Sequence, residues 1–344
     1  DFNLDDLDKD GFVMATVGEN DLVLAGRYPH GTEFAVYCFL QKYGGVRWYL
    51  PTELGEVVPP RDSFGVGKLA DREEPSFHSR QWSSAARFDR GQWERHNLCR
   101  ARYSFHHNLL RVFVPSKLGD NHPEWFPEID GKRRVPTDDG AHNWQPCLAN
   151  AEAARYAARV ARESFEKNPT ASSFSLGMND TAAAGFCECA ACKTLGPTDP
   201  TDSKTPRGMP NYSNRFYTFT NRVAAELAKT HPGKYLGCLA YHVTEPPPTF
   251  DVSPRVIPYL MAGRANWTDP AIREGDQRLI RGWCKKVPVV GIYDYYYGAG
   301  FISPRIFTGL TEESLQFAHR TGVRAFYAEI YSTWSLDGPK AWVA

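Results

Sequence analysis

The chain has 344 residues, 42% of them hydrophobic, with forty basic and forty acidic side chains. That length exceeds a small single-core module and suits one large barrel-type domain, alone or with a smaller companion. Cancelling charges without a long basic block argue against nucleic acid or an anionic membrane as the main partner, and no apolar run approaches the roughly 20 residues of a membrane-crossing helix.

The chain opens on Asp1-Phe2-Asn3 without an initiator Met, as a fragment or processed chain would. Residues 12–24 place apolar groups on both sides of Gly18-Glu19-Asn20-Asp21, which is hairpin chemistry. In 31–43, Phe34, Tyr37, Cys38 and Leu40 recur near helical spacing behind Thr32 as N-cap. Gly44-Gly45 end that helix, and 46–50 follow as a strand before Pro51. Residues 1–62 are therefore expected to form a small α+β sandwich domain, with 63–75 as a polar linker.

From Ser76 onward, apolar runs alternate with amphipathic helices. Strands are expected at 77–82, 103–112, 173–178, 235–241, 256–261, 287–293 and 323–330. Helices fit at 151–168, 213–230, 270–284 and 312–321. The runs YLGCLAY and VPVVGIY are apolar almost throughout, as in a parallel sheet covered on both faces. Seven β/α units over 76–344 fit a (β/α)8 barrel whose eighth unit lies beyond Ala344. A doubly wound sheet is the weaker α/β alternative, because no glycine-rich phosphate loop follows a strand.

In such a barrel the site lies at the carboxyl ends of the strands. Those ends offer Arg80, then His106, His107 and Asn108, then Asn179 and Asp180, then Tyr241, His242 and Glu245. Later ends offer Arg264, Asn266 and Trp267, then Asp294 with Tyr295 to Tyr297, then Glu329, Tyr331 and Trp334. Carboxylates and aromatics without a phosphate loop suit carbohydrate. Glycoside cleavage needs one protonated carboxylic acid for the leaving oxygen and a second carboxylate as nucleophile or base. Glu245, its backbone pinned by Pro246-Pro247-Pro248 on an exposed loop, is the expected acid. Glu329, directly after VRAFYA, is the expected base or nucleophile, with Asp294 as partner. Arg80, His107, Asn179, Asp180, Tyr241, Tyr295 and Trp334 form the expected sugar-binding wall. The chemistry calls for no cofactor. Two rivals stay open: a non-catalytic glycan-binding barrel, and a metal-dependent carbohydrate esterase or deacetylase built on the His and Asp groups.

Cys187-x-Cys189-x-x-Cys192 is the densest cysteine cluster, and Cys147 lies just before the helix leading into that strand. Four thiolates can complete a structural zinc site. The spacing is not the paired C-x2-C knuckle, so disulfides and unpaired thiols remain alternatives. His78, His122 and His142 are isolated and read as hydrogen-bonding or surface residues. No HExxH pair supports a catalytic zinc.

The segment GTEFAVYCFLQKYGGVRWYLPTELGEVVP resembles the small domain that precedes the barrel in α-glucuronidases and β-hexosaminidases. NHPEWFPEIDGKR, QPCLAN, SFSLGMND with CECAACK, NRFYTFTNRVA and LAYHVTEPPP resemble a bacterial family of glycoside-hydrolase-like proteins of unassigned function. The resemblance implies an α+β domain followed by a barrel, an exported (secreted or periplasmic) bacterial protein, and polysaccharide processing on a uronate-bearing or otherwise decorated glycan. It also implies an acid after the fourth strand, where Glu245 stands, and carboxylates on later strands, where Asp294 and Glu329 stand.

Overall fold

The computed structural model describes residues 2–83, 90–196, 203–296, 306–330 and 341–344. The chain divides into two compact units. The smaller holds Asp1–Ala101, Asp294–His319 and Phe326–Ala344, and the larger holds Arg102–Tyr293 and Arg320–Ala325.

The smaller unit begins with the expected hairpin, β1 (Phe12–Val17) and β2 (Asp21–Gly26), paired from Phe12↔Gly26 to Val17↔Asp21. Gly18 takes the left-handed turn position at φ 62°. Helix α1 (Pro29–Lys42) starts on a proline, whose fixed φ suits a first turn. Phe34, Ala35 and Phe39 of α1 pack on Phe12 and Met14 of β1. Burying side chains of this size is worth about 1.5–3 kcal/mol each. Strands β3 (Arg47–Trp48) and β4 (Glu56–Val57) make a separate short ribbon. The third strand beside the hairpin is β5 (Ala70–Glu73), antiparallel to β1 and inside the stretch expected as linker. Its sequence ADRE reads as polar because β5 is an edge strand, and its two acids, Asp71 and Glu73, face Lys42 of α1 at 2.8 and 3.3 Å. Strand β6 (Ser79–Trp82) and helix α2 (Arg90–His96) follow.

The larger unit departs from expectation at once. Residues 103–112 are not a strand: 103–107 run extended with a single parallel bridge, His107↔Gly177, and 109–112 turn into helix α3 (Leu109–Val112). The cause is local. Ser104 N–H bonds Ser173 Oγ at 2.7 Å, and Ser175 Oγ bonds His106 O, so side-chain hydroxyls replace ladder bonds. Glycines permit the approach: a Cβ on Gly177 would stand 2.2 Å from His106 O, and one on Gly237 would stand 2.1 Å from Ser104 O.

A short helix α4 (Pro115–Leu118) and a hairpin, β7 (Glu128–Ile129) and β8 (Lys132–Arg133), lead to α5 (Ala151–Lys167). Asn150 caps α5 by accepting Ala153 N–H at 3.0 Å, and a stripe of buried alanines seats the helix. Then come β9 (Ser173–Ser175), α6 (Ala190–Lys193), α7 (Ser213–Ala228), β10 (Tyr235–Ala240), β11 (Val256–Met261), α8 (Pro270–Lys286) and β12 (Gly291–Tyr295). Strands β9, β10, β11 and β12 are neighbours in that order and parallel, with Tyr235↔Ser173, Leu236↔Val256 and Tyr259↔Gly291 in register. Then follow α9 (Thr308–Thr321), in the smaller unit as far as His319, and β13 (Ala325–Glu329), in the smaller unit from Phe326 onward. Tyr296 N–H bonds Glu329 O and Ser83 N–H bonds Ala328 O, both at 2.9 Å, so β13 lies between the end of β12 and β6. The fold is mixed α/β with parallel strands and helices between them, in the order a TIM-like barrel uses. No helix among the described residues is long and apolar enough to cross a membrane.

Candidate functional site

The carboxyl end of β10 carries most of the chemistry. Tyr241 leaves the strand extended, and residues His242–Thr244 fold into a single 3-10 turn, with Thr244 N–H on Tyr241 O at 3.0 Å. His242 sits at φ 48°, in the left-handed region where a residue with a Cβ is strained. That turn brings the Tyr241 and His242 rings to 3.7 Å between centroids.

The end of β9 supplies the facing group. Asn179 is fully buried and clamped: its Nδ2 donates to Trp144 O at 2.8 Å and its N–H to Gln145 Oε1 at 3.0 Å. Gln145 Nε2 returns a bond to Asn179 O at 2.8 Å. The clamp positions the next residue, Asp180, whose side chain remains 53% exposed. Tyr241 Oη donates to Asp180 Oδ1 at 3.3 Å, and His107 Nε2 stands 3.6 Å from the same oxygen. His107 Nδ1 lies 2.5 Å from Met178 O and must carry a proton there, so its Nε2 meets Asp180 as an ion pair when the ring is protonated. Asp180 N–H donates to His142 Nδ1 at 2.9 Å, which leaves the His142 proton on Nε2 in the neutral ring.

Glu245 ends the turn after β10 and points inward. Only 2% of it is exposed, against the expectation of an open loop, and its carbonyl accepts Trp283 Nε1–H at 2.8 Å. Arg207 Nε stands 3.3 Å from Glu245 Oε1. Arg207 rides on a tight turn closed by Thr205 N–H on Met209 O at 2.7 Å, with Gly208 at φ 78°, and it is steadied by Met261 O. Burial pushes the Glu245 carboxyl up to about 7, with Asp276 adding to the rise and Arg207 only partly opposing it. A cavity of about 470 Å³ opens here, lined by Arg207, Glu245, Ala262, Asn266 and Ile272 among others. Burial holds His242 below the ordinary histidine value; Arg207 and His107 push the same way, while Asp180 opposes. His242 thus feels the charges around both Asp180 and Glu245.

Arg80 is held by Asp10 at 2.9 Å and by Leu98 O at 2.7 Å inside the smaller unit. Asp294 is 1% exposed and accepts Tyr295 N–H at 2.7 Å. Glu329, 6% exposed, ends β13, and Tyr295 is half-buried. These four belong to the smaller unit. Tyr297, Tyr331 and Trp334 lie outside the described residues. Arg264 and Trp267, expected on the rim, are buried: Arg264 Nε pairs with Asp276 Oδ2 at 3.0 Å, and Trp267 Nε1 donates to the same oxygen at 3.1 Å. Sequence reasoning missed Arg207, whose only local signal is the turn chemistry of Gly208 and Pro210, and read His142 as isolated.

Cys147, Cys187, Cys189 and Cys192 converge in the larger unit. All are buried, their Sγ atoms lie within 4.8 Å of one another, and the cluster could hold a metal ion.

A family model described as a domain of unknown function (DUF4838) matches residues 50–344. No curated protein matches the chain.

Proposed function

The chain belongs to the DUF4838 family of unknown function, and from the chemistry of its site we propose that it is a glycoside hydrolase acting on a uronate-bearing or otherwise decorated polysaccharide. The observation that carries the reading is Glu245. A carboxyl held near 7 is about half protonated at neutral pH, where an ordinary carboxyl is ionised, and can give its proton to a leaving glycosidic oxygen. Arg207 beside Oε1 stabilises the carboxylate that this transfer leaves behind.

The second carboxylate is assigned to Asp180, which shares the larger unit with Glu245 and is open to solvent. Tyr241 and His107 hold its Oδ1, so the carboxyl group stays aimed, ready to act on the anomeric carbon or on a water. The rings of Tyr241 and His242 offer a stacking face for a sugar, while His142 Nε2 and Arg207 can bond hydroxyls or a uronate. Such a reaction uses protein groups and water alone. A polysaccharide substrate also implies export, to the periplasm or the medium.

The test is turnover of a panel of uronate-bearing and neutral oligosaccharides by wild type, Glu245→Gln and Asp180→Asn. The reading expects each variant to lose at least about a hundredfold in kcat/KM. Full activity in Glu245→Gln would remove the acid, and saturable binding by all three proteins without turnover would replace cleavage with a glycan-binding role.

A further inference from the structure

We propose that Cys147, Cys187, Cys189 and Cys192 bind one zinc ion in a closed, structural, all-thiolate centre. The four ligands come from separate places in the larger unit: Cys147 ahead of α5, Cys187 in the loop before α6, Cys189 as the N-cap of α6 and Cys192 within it. Sequence separations of 42 and 45 residues are closed without a disulfide between the sulfurs, since all four are free thiols.

The spacing discriminates among the candidates. Cys147 Sγ is 3.8 Å from Cys189 Sγ and 3.7 Å from Cys192 Sγ. A disulfide brings two sulfurs to about 2.05 Å. Four sulfurs about 2.3 Å from a tetrahedral zinc stand about 3.8 Å apart along each edge, which matches the two separations at Cys147, and all four sulfurs lie within 4.8 Å of one another. Four neutral thiols packed by apolar contact alone have no reason to converge on a common centre.

The surroundings suit the charge of such a centre. Four thiolates around a divalent ion carry two net negative charges, and a buried anion needs donors aimed at it. Glu128 N–H donates to Cys187 Sγ at 3.3 Å, and Arg133 Nη1 reaches the same sulfur at 3.6 Å. Both belong to the β7–β8 hairpin, whose tip places Asp130 at φ 51° and Gly131 at φ 70°, the paired left-handed geometry of the tightest hairpin turn. The hairpin thereby places a cation and an amide over one ligand. Zinc binding expels the proton of each thiol that is neutral in the metal-free chain.

With four protein ligands no coordination position is left for a substrate or water, so the centre is structural. Its place in the chain gives the ion a task. Two residues before Cys147 stands Gln145, which clamps Asn179 and so sets Asp180; seven residues after Asp180 the chain returns to the centre at Cys187. The metal ties the segment that clamps Asn179 to the far end of the loop that carries Asp180. The inference stands whether or not the site cleaves a sugar, because its test reads metal and not turnover.

The experiment is elemental analysis of the purified full chain, with thiol titration before and after metal release. One zinc per chain is expected, with the four cluster thiols unreactive until chelator and denaturant free them together. Replacing zinc with cobalt(II) should give the absorption of a tetrahedral thiolate site. Cys192→Ser should lose stoichiometric zinc. Because that variant may fail to fold, Arg133→Gln provides a second arm, which should stay folded yet weaken zinc binding by about 10–100-fold. Metal-free protein with disulfides among these four cysteines would overturn the proposal, as would iron in place of zinc, or unchanged zinc affinity in Arg133→Gln together with stoichiometric zinc in Cys192→Ser.

Discussion

Glu245 and Arg207 share one contact and leave one oxygen over. Arg207 Nε stands 3.3 Å from Glu245 Oε1, while the equally buried Oε2 has no hydrogen-bond partner among the described residues. Leaving a carboxylate oxygen dry and unpaired favours the protonated acid, which is the form a proton donor needs.

That asymmetry predicts an unusual pH dependence of stability. The folded carboxyl is raised to about 7 from 4.5, so it binds a proton that the unfolded chain has already released. Its stabilising contribution is complete below about pH 4.5 and is lost as pH rises through about 7. Denaturant unfolding of wild type should therefore lose about 3 kcal/mol between pH 5 and 8 relative to Glu245→Gln, which cannot titrate. In the same window the wild-type kcat should fall along its alkaline limb, as expected of an acid that must be protonated.

Tyr241→Phe removes the hydroxyl that donates to Asp180 Oδ1, and Asp180 is half exposed. Thermal stability should stay within about 0.5 kcal/mol of wild type, as for other surface changes. Turnover, or glycan affinity if binding is the role, should fall about tenfold. Combining Tyr241→Phe with Asp180→Asn should cost less than the sum of the two, because the pair is coupled.

Gly177→Ala tests the close approach beside β9. A methyl group there would meet His106 O at 2.2 Å and Phe105 O at 2.5 Å, both backbone atoms that cannot step aside cheaply. The substitution should destabilise by about 3 kcal/mol or more, read by urea unfolding. It should also displace His107, whose Nδ1 depends on Met178 O one residue further on.

Asp276→Ala tests the reassignment of Arg264 from rim to interior. Arg264 is 1% exposed, and its guanidinium also reaches Tyr293 O at 3.1 Å. Removing its carboxylate partner strands a buried cation, at a cost of about 3–5 kcal/mol in unfolding free energy. An Arg264 that served as a sugar ligand would show a loss of affinity without that loss of stability.

Elements whose own residues carry the signal were readable without coordinates. Strand β11 is six apolar residues between Arg255 and Ala262, and α5 announces itself through Asn150, an alanine stripe and Asn168-Pro169. The four cysteines could also be grouped from sequence, because chemistry and not position identifies them. What stayed hidden was decided at long range. Leu109, Leu110 and Val112 are apolar because a buried helical turn needs them as much as a strand would. Arg264 and Trp267 looked like rim groups until Asp276, on the next helix, drew both inward. Arg207 has no periodic context at all, and only the folded turn carries it to Glu245.

The extended segment beside β9 has one more consequence. β9 is the terminal strand of the parallel ladder in the larger unit, and an unpaired strand edge invites a second chain to add its own strand. Here the protein's own backbone takes that position: Ser104 N–H rests on Ser173 Oγ, Asn108 N–H on Gly177 O at 2.9 Å, and Asn108 Nδ2 on Ser175 O at 2.9 Å. The same serines and glycines that prevent a regular strand at 103–107 thus act as a guard against aggregation, blunting the edge with bonds that an incoming chain would have to displace.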